Sequence, residues 1–242
     1  ETTGSVSFMD LYSMVTGLIG QSGRRGALML SLSCEHPDLE EFIEIKSDLD
    51  RVTKANISIR ITDKFMVAVK NRTSFTLSFT RLETGEKITK EVDAYTIFHK
   101  LCEMNWDYAE PGMLFWDRIN NWNLLSCDDD FEYAGTNPCA EEPLPAGGSC
   151  LLGSINLSEF VCDTGFNFDD FKYCVKESVI ALNEVLDEGL PLHPLKEQRE
   201  SVYDWRQIGL GIFGLADLLI KLGIKYGSPE AIDLCDMIGH TM

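Results

Sequence analysis

Between positions 137 and 141 the chain reads Asn137-Pro138-Cys139-Ala140-Glu141, which sets a thiol two residues from an amide on one side and two from a carboxylate on the other. In an extended segment side chains alternate between faces, so these three would point the same way. Such a face suits a hydroxylated substrate. A carboxylate within reach of a hydroxyl can act as general base, and an amide orients a ligand without titrating. Pro138, Pro143 and Pro145 stiffen the segment and reduce the entropy lost in positioning the thiol. A second thiol follows in Gly147-Gly148-Ser149-Cys150-Leu151-Leu152-Gly153-Ser154-Ile155-Asn156-Leu157. An isolated cysteine is most often an ordinary buried thiol. Two of them inside one aperiodic stretch, Tyr133 to Asn156, argue for function, because loops this long in compact domains are usually functional or disordered and this one carries too little charge for a disordered tail.

The surrounding sequence supplies alternating helices and strands. Phe8, Leu11, Tyr12, Val15, Leu18 and Ile19 recur at helical spacing and predict an amphipathic helix closed by Gly20. Gly23 to Gly26 reads as a turn, Ala27 to Leu32 as a buried strand, and His36-Pro37-Asp38 opens a helix carrying Leu39, Phe42 and Ile43. Lys46 to Lys54 is a polar loop feeding a strand in which Ile57, Ile59 and Ile61 alternate with Ser58, Arg60 and Thr62. Asp63 is the expected N-cap of the next helix. Residues 73–93 read as a small peripheral hairpin turning at Thr84-Gly85, and as an insertion. Helices are predicted over Ala94 to Trp106, Phe168 to Leu186 and Trp205 to Leu222, the last in spite of Gly209, Gly211 and Gly214, whose spacing suggests close helix packing. Ser228 and Pro229 begin one more helix.

Composition sets the outer limits. With 44% hydrophobic and 25% charged residues the chain has the makings of a globular core. Thirty-nine acidic against 21 basic residues give a net charge of -18, which disfavours nucleic acid and anionic membranes as partners but leaves room for a locally held nucleotide phosphate. The eight cysteines contain no CxxC pair, and no signal peptide precedes them, so a reducing, cytoplasmic compartment is expected. No apolar run is long enough to span a bilayer. His99 and His193 have no ligand-type neighbours at metal spacing, and no metal is assigned. The whole chain, 1–242, is read as a single domain cut at both ends, since it opens on Glu1 and stops at Met242 within a helical pattern.

The spacing Asn-x-Cys-x-Glu followed by Cys-Leu-x-x-x-x-Asn-Leu resembles the finger loop of ribonucleotide reductase large catalytic subunits. Ser7-Phe8-Met9, the Gly23 to Gly26 turn, His36-Pro37-Asp38 with Glu40-Glu41-Phe42-Ile43, and Asn56-Ile57-Ser58 before Thr62-Asp63 are similar to the same family in the same order. The resemblance implies an α/β barrel of two half-barrels with a central finger loop. It implies that Cys139 becomes a thiyl radical that removes the 3′ hydrogen of a ribonucleotide, that Glu141 is base toward the 3′ hydroxyl, and that Asn137 hydrogen-bonds the sugar. Cys150 then matches one half of a redox pair that yields electrons as the 2′ hydroxyl leaves; its partner in the family lies upstream of the matched region, and Cys34 does not match it. A thioredoxin-type dithiol is the implied reductant.

By the same resemblance, the loop from Lys46 to Ala55 links a dNTP or ATP effector site at a homodimer interface to the substrate base, with Lys46, Arg51 and Lys54 as its candidate contacts. A solvated charged loop is the plain alternative for these side chains. Arg24 and Arg25 serve a turn more readily than a phosphate. The first helix resembles the family's dimer-forming helix, although its apolar stripe would equally suit an internal core contact. The wording Asn-Pro-Cys-Ala-Glu-Glu-Pro-Leu-Pro is more similar to the adenosylcobalamin-dependent class than to the class served by a separate metal-radical small subunit. Two other readings stand beside these: a nucleotide-binding and dimerisation module inert in catalysis, and a structural cysteine-rich protein.

Overall fold

A computed structural model describes residues 4–19, 23–24 and 26–242; Gly20 and Arg25, named above, lie outside them. The chain forms two compact units, residues 1–144 and 145–242.

The first unit opens with helix α1 (Ser5–Leu18). Its start is tied down by Asp38, whose Oδ2 accepts hydrogen bonds from both the backbone N and the Oγ of Ser5 at 2.9 Å. The helix buries Val6, Met9 and Ser13. The apolar stripe anticipated from spacing lies on the other side: Phe8, Leu11, Tyr12 and Val15 are exposed, Leu18 is 76% exposed and Ile19, just past the helix, 69%. Within this chain the stripe is therefore not a core contact.

Strands β1 (Met29–Ser33), β2 (Asn56–Ile61) and β5 (Gly112–Phe115) form a parallel sheet in the order β1-β2-β5. Parallel neighbours need crossovers. The first is α2 (Leu39–Glu44) with a short 3-10 turn at Ile45–Ser47. The second runs through α3 (Asp63–Asn71), the antiparallel hairpin of β3 (Ser74–Thr80) and β4 (Lys87–Asp93), and α4 (Ala94–Tyr108). On one face of β2, Ile57, Ile59 and Ile61 are each 1% exposed and pack beneath α2, α3 and α4. The N-cap of α3 is Thr62 rather than Asp63: the threonine is extended and its Oγ1 accepts from Phe65 N at 3.2 Å. The hairpin is less peripheral than expected, since Phe75 and Leu77 are buried and Phe75 meets Phe65 edge to face at 5.2 Å. The unit continues through α5 (Trp116–Asn121) and β6 (Tyr133–Thr136). A short strand β7 (Pro143–Pro145) pairs with β6.

In the second unit β8 (Leu151–Asn156) and β11 (Ile208–Phe213) pair in parallel, from Leu151 opposite Ile208 to Asn156 opposite Phe213. Between them come a small hairpin, β9 (Val161–Cys162) and β10 (Gly165–Phe166), and helices α6 (Phe168–Gly189) and α7 (Lys196–Trp205). Helices α8 (Leu215–Leu222) and α9 (Pro229–Thr241) follow, α9 capped by Ser228 as its sequence predicts. The single helix expected over Trp205 to Leu222 is instead the end of α7, strand β11 and α8. Ile208-Gly209-Leu210-Gly211-Ile212 alternates large and small with period two, and glycine costs about 1 kcal/mol in a helix interior. A glycine strand beside β8 avoids that cost. The aperiodic stretch to Asn156 likewise ends as strand β8 rather than loop.

Candidate active site

Residues 137–142 form a tight turn between β6 and β7 rather than the extended run assumed from the sequence. The turn closes on itself: Asn137 N donates to Glu142 O at 3.2 Å, Glu142 N donates to Asn137 Oδ1 at 3.1 Å, and Ala140 N donates to Asn137 O at 3.0 Å. Ala140 takes the left-handed conformation, φ 67°, that reverses the chain just after the cysteine. Asn137, Cys139 and Glu141 thus sit on a closed chain reversal and not on one face of a strand. Cys139 and Glu141 are exposed and Asn137 is half-buried. With Oδ1 engaged by the turn, Asn137 is left to address a ligand through its Nδ2 donors.

The turn is also tied to the sheet. Asn56, the first residue of β2, donates from Nδ2 to Pro138 O at 2.7 Å. Alternation along β2 sets Asn56, Ser58 and Arg60 on the face opposite the three isoleucines, level with Met29, Ser31 and Ser33 of β1. Ser58 lies opposite Gly112 of β5, and a Cβ at Gly112 would sit 2.8 Å from Ser58 Oγ, so glycine is what lets the strands close here. Arg60 lies 5.2 Å from the Trp116 ring, and burial pushes its guanidinium pKa down. One face of β2 is apolar core; the other carries Asn56, Ser58 and Arg60, with the apolar Met29 of β1 and Leu114 of β5 beside them.

Cys150 sits in the second unit, half-buried and immediately before β8, where Leu151 N donates to Gln207 O at 3.1 Å. Of the loop candidates, Lys46 is already engaged: its Nζ donates to Val52 O at 2.6 Å and Ala55 O at 2.7 Å and pairs with Glu110 Oε2 at 3.0 Å. These contacts hold Val52 in a left-handed conformation, φ 49°, which is costly for a β-branched residue. Arg51 reaches Asp10 of α1 through Nε and Nη2, and that partner holds its pKa up. Lys54 is exposed, with its backbone N donating to Ser13 Oγ at 3.0 Å. A cavity of about 330 Å³ lies where this loop meets the turn, lined by Gly26, Leu28, Lys46, Lys54, Asn56 and Pro138.

Two features were not read from the sequence. Asn56 and Glu110 frame the start of β2, Glu110 Oε1 accepting from Ile57 N at 2.9 Å, and no local pattern signals a contact across 53 residues. Cys162 has its thiol pKa lowered chiefly by a hydrogen bond with the Thr164 side chain, whereas burial pushes Cys34 up. Among the described residues there is no group of three or more His, Cys, Asp or Glu arranged to hold a metal ion, and no helix is long and apolar enough to cross a membrane.

Parallel strands joined by helical crossovers define an α/β protein, and an exposed cysteine stands on a turn fastened to its first sheet. The chain belongs to the ribonucleotide reductase barrel domain family, whose model matches residues 1–242. It is 38% identical over 98% of its length to a vitamin B12-dependent ribonucleoside-diphosphate reductase of Thermoplasma acidophilum, covering 30% of that protein. A Mycobacterium tuberculosis protein of the same description is 36% identical over 96% of this chain, which covers 33% of it. A vitamin B12-dependent ribonucleotide reductase of Streptomyces avermitilis is 33% identical over the full chain, which covers 28% of it. The chain thus spans about a third of the length of these relatives.

Proposed function

We propose that the protein carrying this chain reduces ribonucleotides, in the form of ribonucleoside diphosphates, to 2′-deoxyribonucleotides for DNA synthesis. The observation that carries this reading is the closed 137–142 turn, which presents Cys139 and Glu141 to solvent in a chain of this family. A hydrogen atom passes from the ribose 3′ carbon to the sulfur radical of Cys139, and Glu141 takes the 3′ hydroxyl proton. Asn137 orients the sugar through its Nδ2. The 2′ hydroxyl takes a proton from one of two thiols, Cys150 and a second cysteine, and leaves as water. The two thiols end as a disulfide, and their other hydrogen takes the place of the hydroxyl at the 2′ carbon. Glu141 returns its proton to the 3′ oxygen, and the hydrogen atom returns from Cys139 to the 3′ carbon. A thioredoxin-type dithiol then reduces the disulfide.

Adenosylcobalamin is the cofactor that the names of the relatives support, and when bound it supplies the radical chemistry that removes the thiol hydrogen. What this chain offers it is the exposed Cys139 sulfur. The exposed stripe on α1 supports a homodimer joined through that helix, with dNTP or ATP effectors acting through the loop that contains Lys46, Arg51 and Lys54. The 1–242 span is taken as one catalytic barrel domain of a cytoplasmic enzyme, a reading supported by the family match over the whole chain.

The test is turnover by the full-length protein with adenosylcobalamin and a dithiol. Cys139→Ser brings deoxynucleotide formation to background with the fold retained by circular dichroism, and Glu141→Gln lowers it by about 10²–10⁴-fold, the usual range for a general base. Turnover that persists in Cys139→Ser overturns the assignment. Turnover that needs a separate metal-radical subunit and no cobalamin would move the protein to the other class.

A further inference from the structure

We propose that Asn56 is a positioning residue for the thiol: by holding the carbonyl of Pro138 it sets the direction in which Cys139 presents its sulfur. The inference rests on the reading of Cys139 as the radical-carrying residue.

The direction of a side chain is set by the two peptide planes that meet at its Cα. On the C-terminal side of Cys139 the plane is fixed inside the turn, where Ala140 N donates to Asn137 O at 3.0 Å. On the N-terminal side the plane contains Pro138 O and Cys139 N, and it is this carbonyl that Asn56 Nδ2 grips at 2.7 Å. Proline fixes its own φ but leaves ψ, the rotation of that plane, free. The bond from Asn56 removes that freedom.

Asn56 can serve as an anchor because its own backbone is held on both sides. Its N donates to Leu28 O at 2.8 Å, and it stands opposite Met29 in the β1-β2 register. The carbonyl of Ala55, just before it, is bound by Lys46, and the N of Ile57, just after it, by Glu110, the two side chains being paired at 3.0 Å. A side chain on so constrained a stem can hold its partner with little loss of entropy on binding. The residue that ends the Lys46 to Ala55 loop is therefore followed directly by the one that holds the thiol turn.

The experiment uses the full-length protein with two substitutions, Asn56→Ala and the near-isosteric Asn56→Asp, alongside Cys139→Ser. Both Asn56 variants lower kcat by about 10- to 100-fold, the scale of an ångström-level misplacement, with KM for the ribonucleotide within about threefold of the parent. Asn56→Asp keeps the shape but faces an oxygen toward the Pro138 carbonyl, so its kcat relative to the parent rises as pH falls and the carboxyl gains a proton to donate. A residue that only packed would show no such pH trend. Hydrogen exchange at Ala140 and Glu142 speeds up in both variants. Activity within about twofold of the parent in both variants, with Cys139→Ser inactive, overturns the inference and leaves the functional reading intact. So does a raised KM with unchanged kcat, which would make Asn56 a ligand contact. Turnover retained by Cys139→Ser overturns the functional reading, and this inference with it.

Discussion

In the first unit the sheet itself furnishes the core, with Ile57, Ile59 and Ile61 of β2 almost wholly buried between β1 and β5. The paired strands of the second unit carry glycine at 153, 209 and 211, and of their residues Ile155 alone is buried in the local core. There the apolar mass comes from what packs on the strands: Phe171 and Val175 of α6, Leu218 and Leu219 of α8, and Ala231, Leu234 and Ile238 of α9. Four phenylalanines, at 160, 166, 168 and 171, meet edge to face or tilted with ring centroids 4.8–5.9 Å apart. Removing side chains from strands lets a helix approach closely, as where a Cβ on Gly153 would already stand 3.4 Å from Leu182. It also shifts the burden of burial to a few large residues, so stability there should hang on fewer positions.

The sharpest way to break this contrast is Phe171→Ala, which should cost about 3–5 kcal/mol as a large buried aromatic with a residual cavity. Denaturant unfolding followed by hydrogen exchange should show amides of 151–241 losing protection well before those of 56–61; equal loss in both units would mean that the two cores do not respond separately. Gly214→Ala should cost about 1–3 kcal/mol, the scale of backbone strain at a position with φ 73°. A Cβ there would lie 2.2 Å from Asn156 Oδ1, so the amide that accepts from Ser158 N at the end of β8 must also move. A shift in melting temperature too small to detect would show that this strand end is plastic. Ile59→Val in the first unit should cost about 0.5–1.5 kcal/mol, since two neighbouring isoleucines on the same strand share the burial; a loss as large as that at Phe171 would erase the difference between the two cores.

Much of the scaffold was legible because its period matched its burial. The alternation of Ile57, Ile59 and Ile61, the Ser228-Pro229 helix start and the Thr84-Gly85 hairpin each follow from local chemistry. Legibility failed where two periods overlap. Gly211 and Gly214 fit a small-residue helix face while Gly209 and Gly211 fit a strand, and the neighbour that decides, β8, lies more than fifty residues earlier. It failed again at α1, where spacing located the stripe but not which side of the helix would be covered; Val6, Met9 and Ser13 face the core because Asp38 and Lys54 hold that side.

The sequence by itself determined which groups can do chemistry. Asn137, Cys139 and Glu141 are close because the chain makes them close, and the family resemblance rests on that local spacing. Only the tertiary structure decided how they are presented. Their common presentation comes from a left-handed Ala140 and a closed turn, and the aim of the sulfur from an asparagine 82 residues before Pro138. Local spacing is written in covalent bonds and can be read from order alone. A peptide plane held by a hydrogen bond from another strand depends on how the sheet packs, and no run of neighbouring residues encodes it.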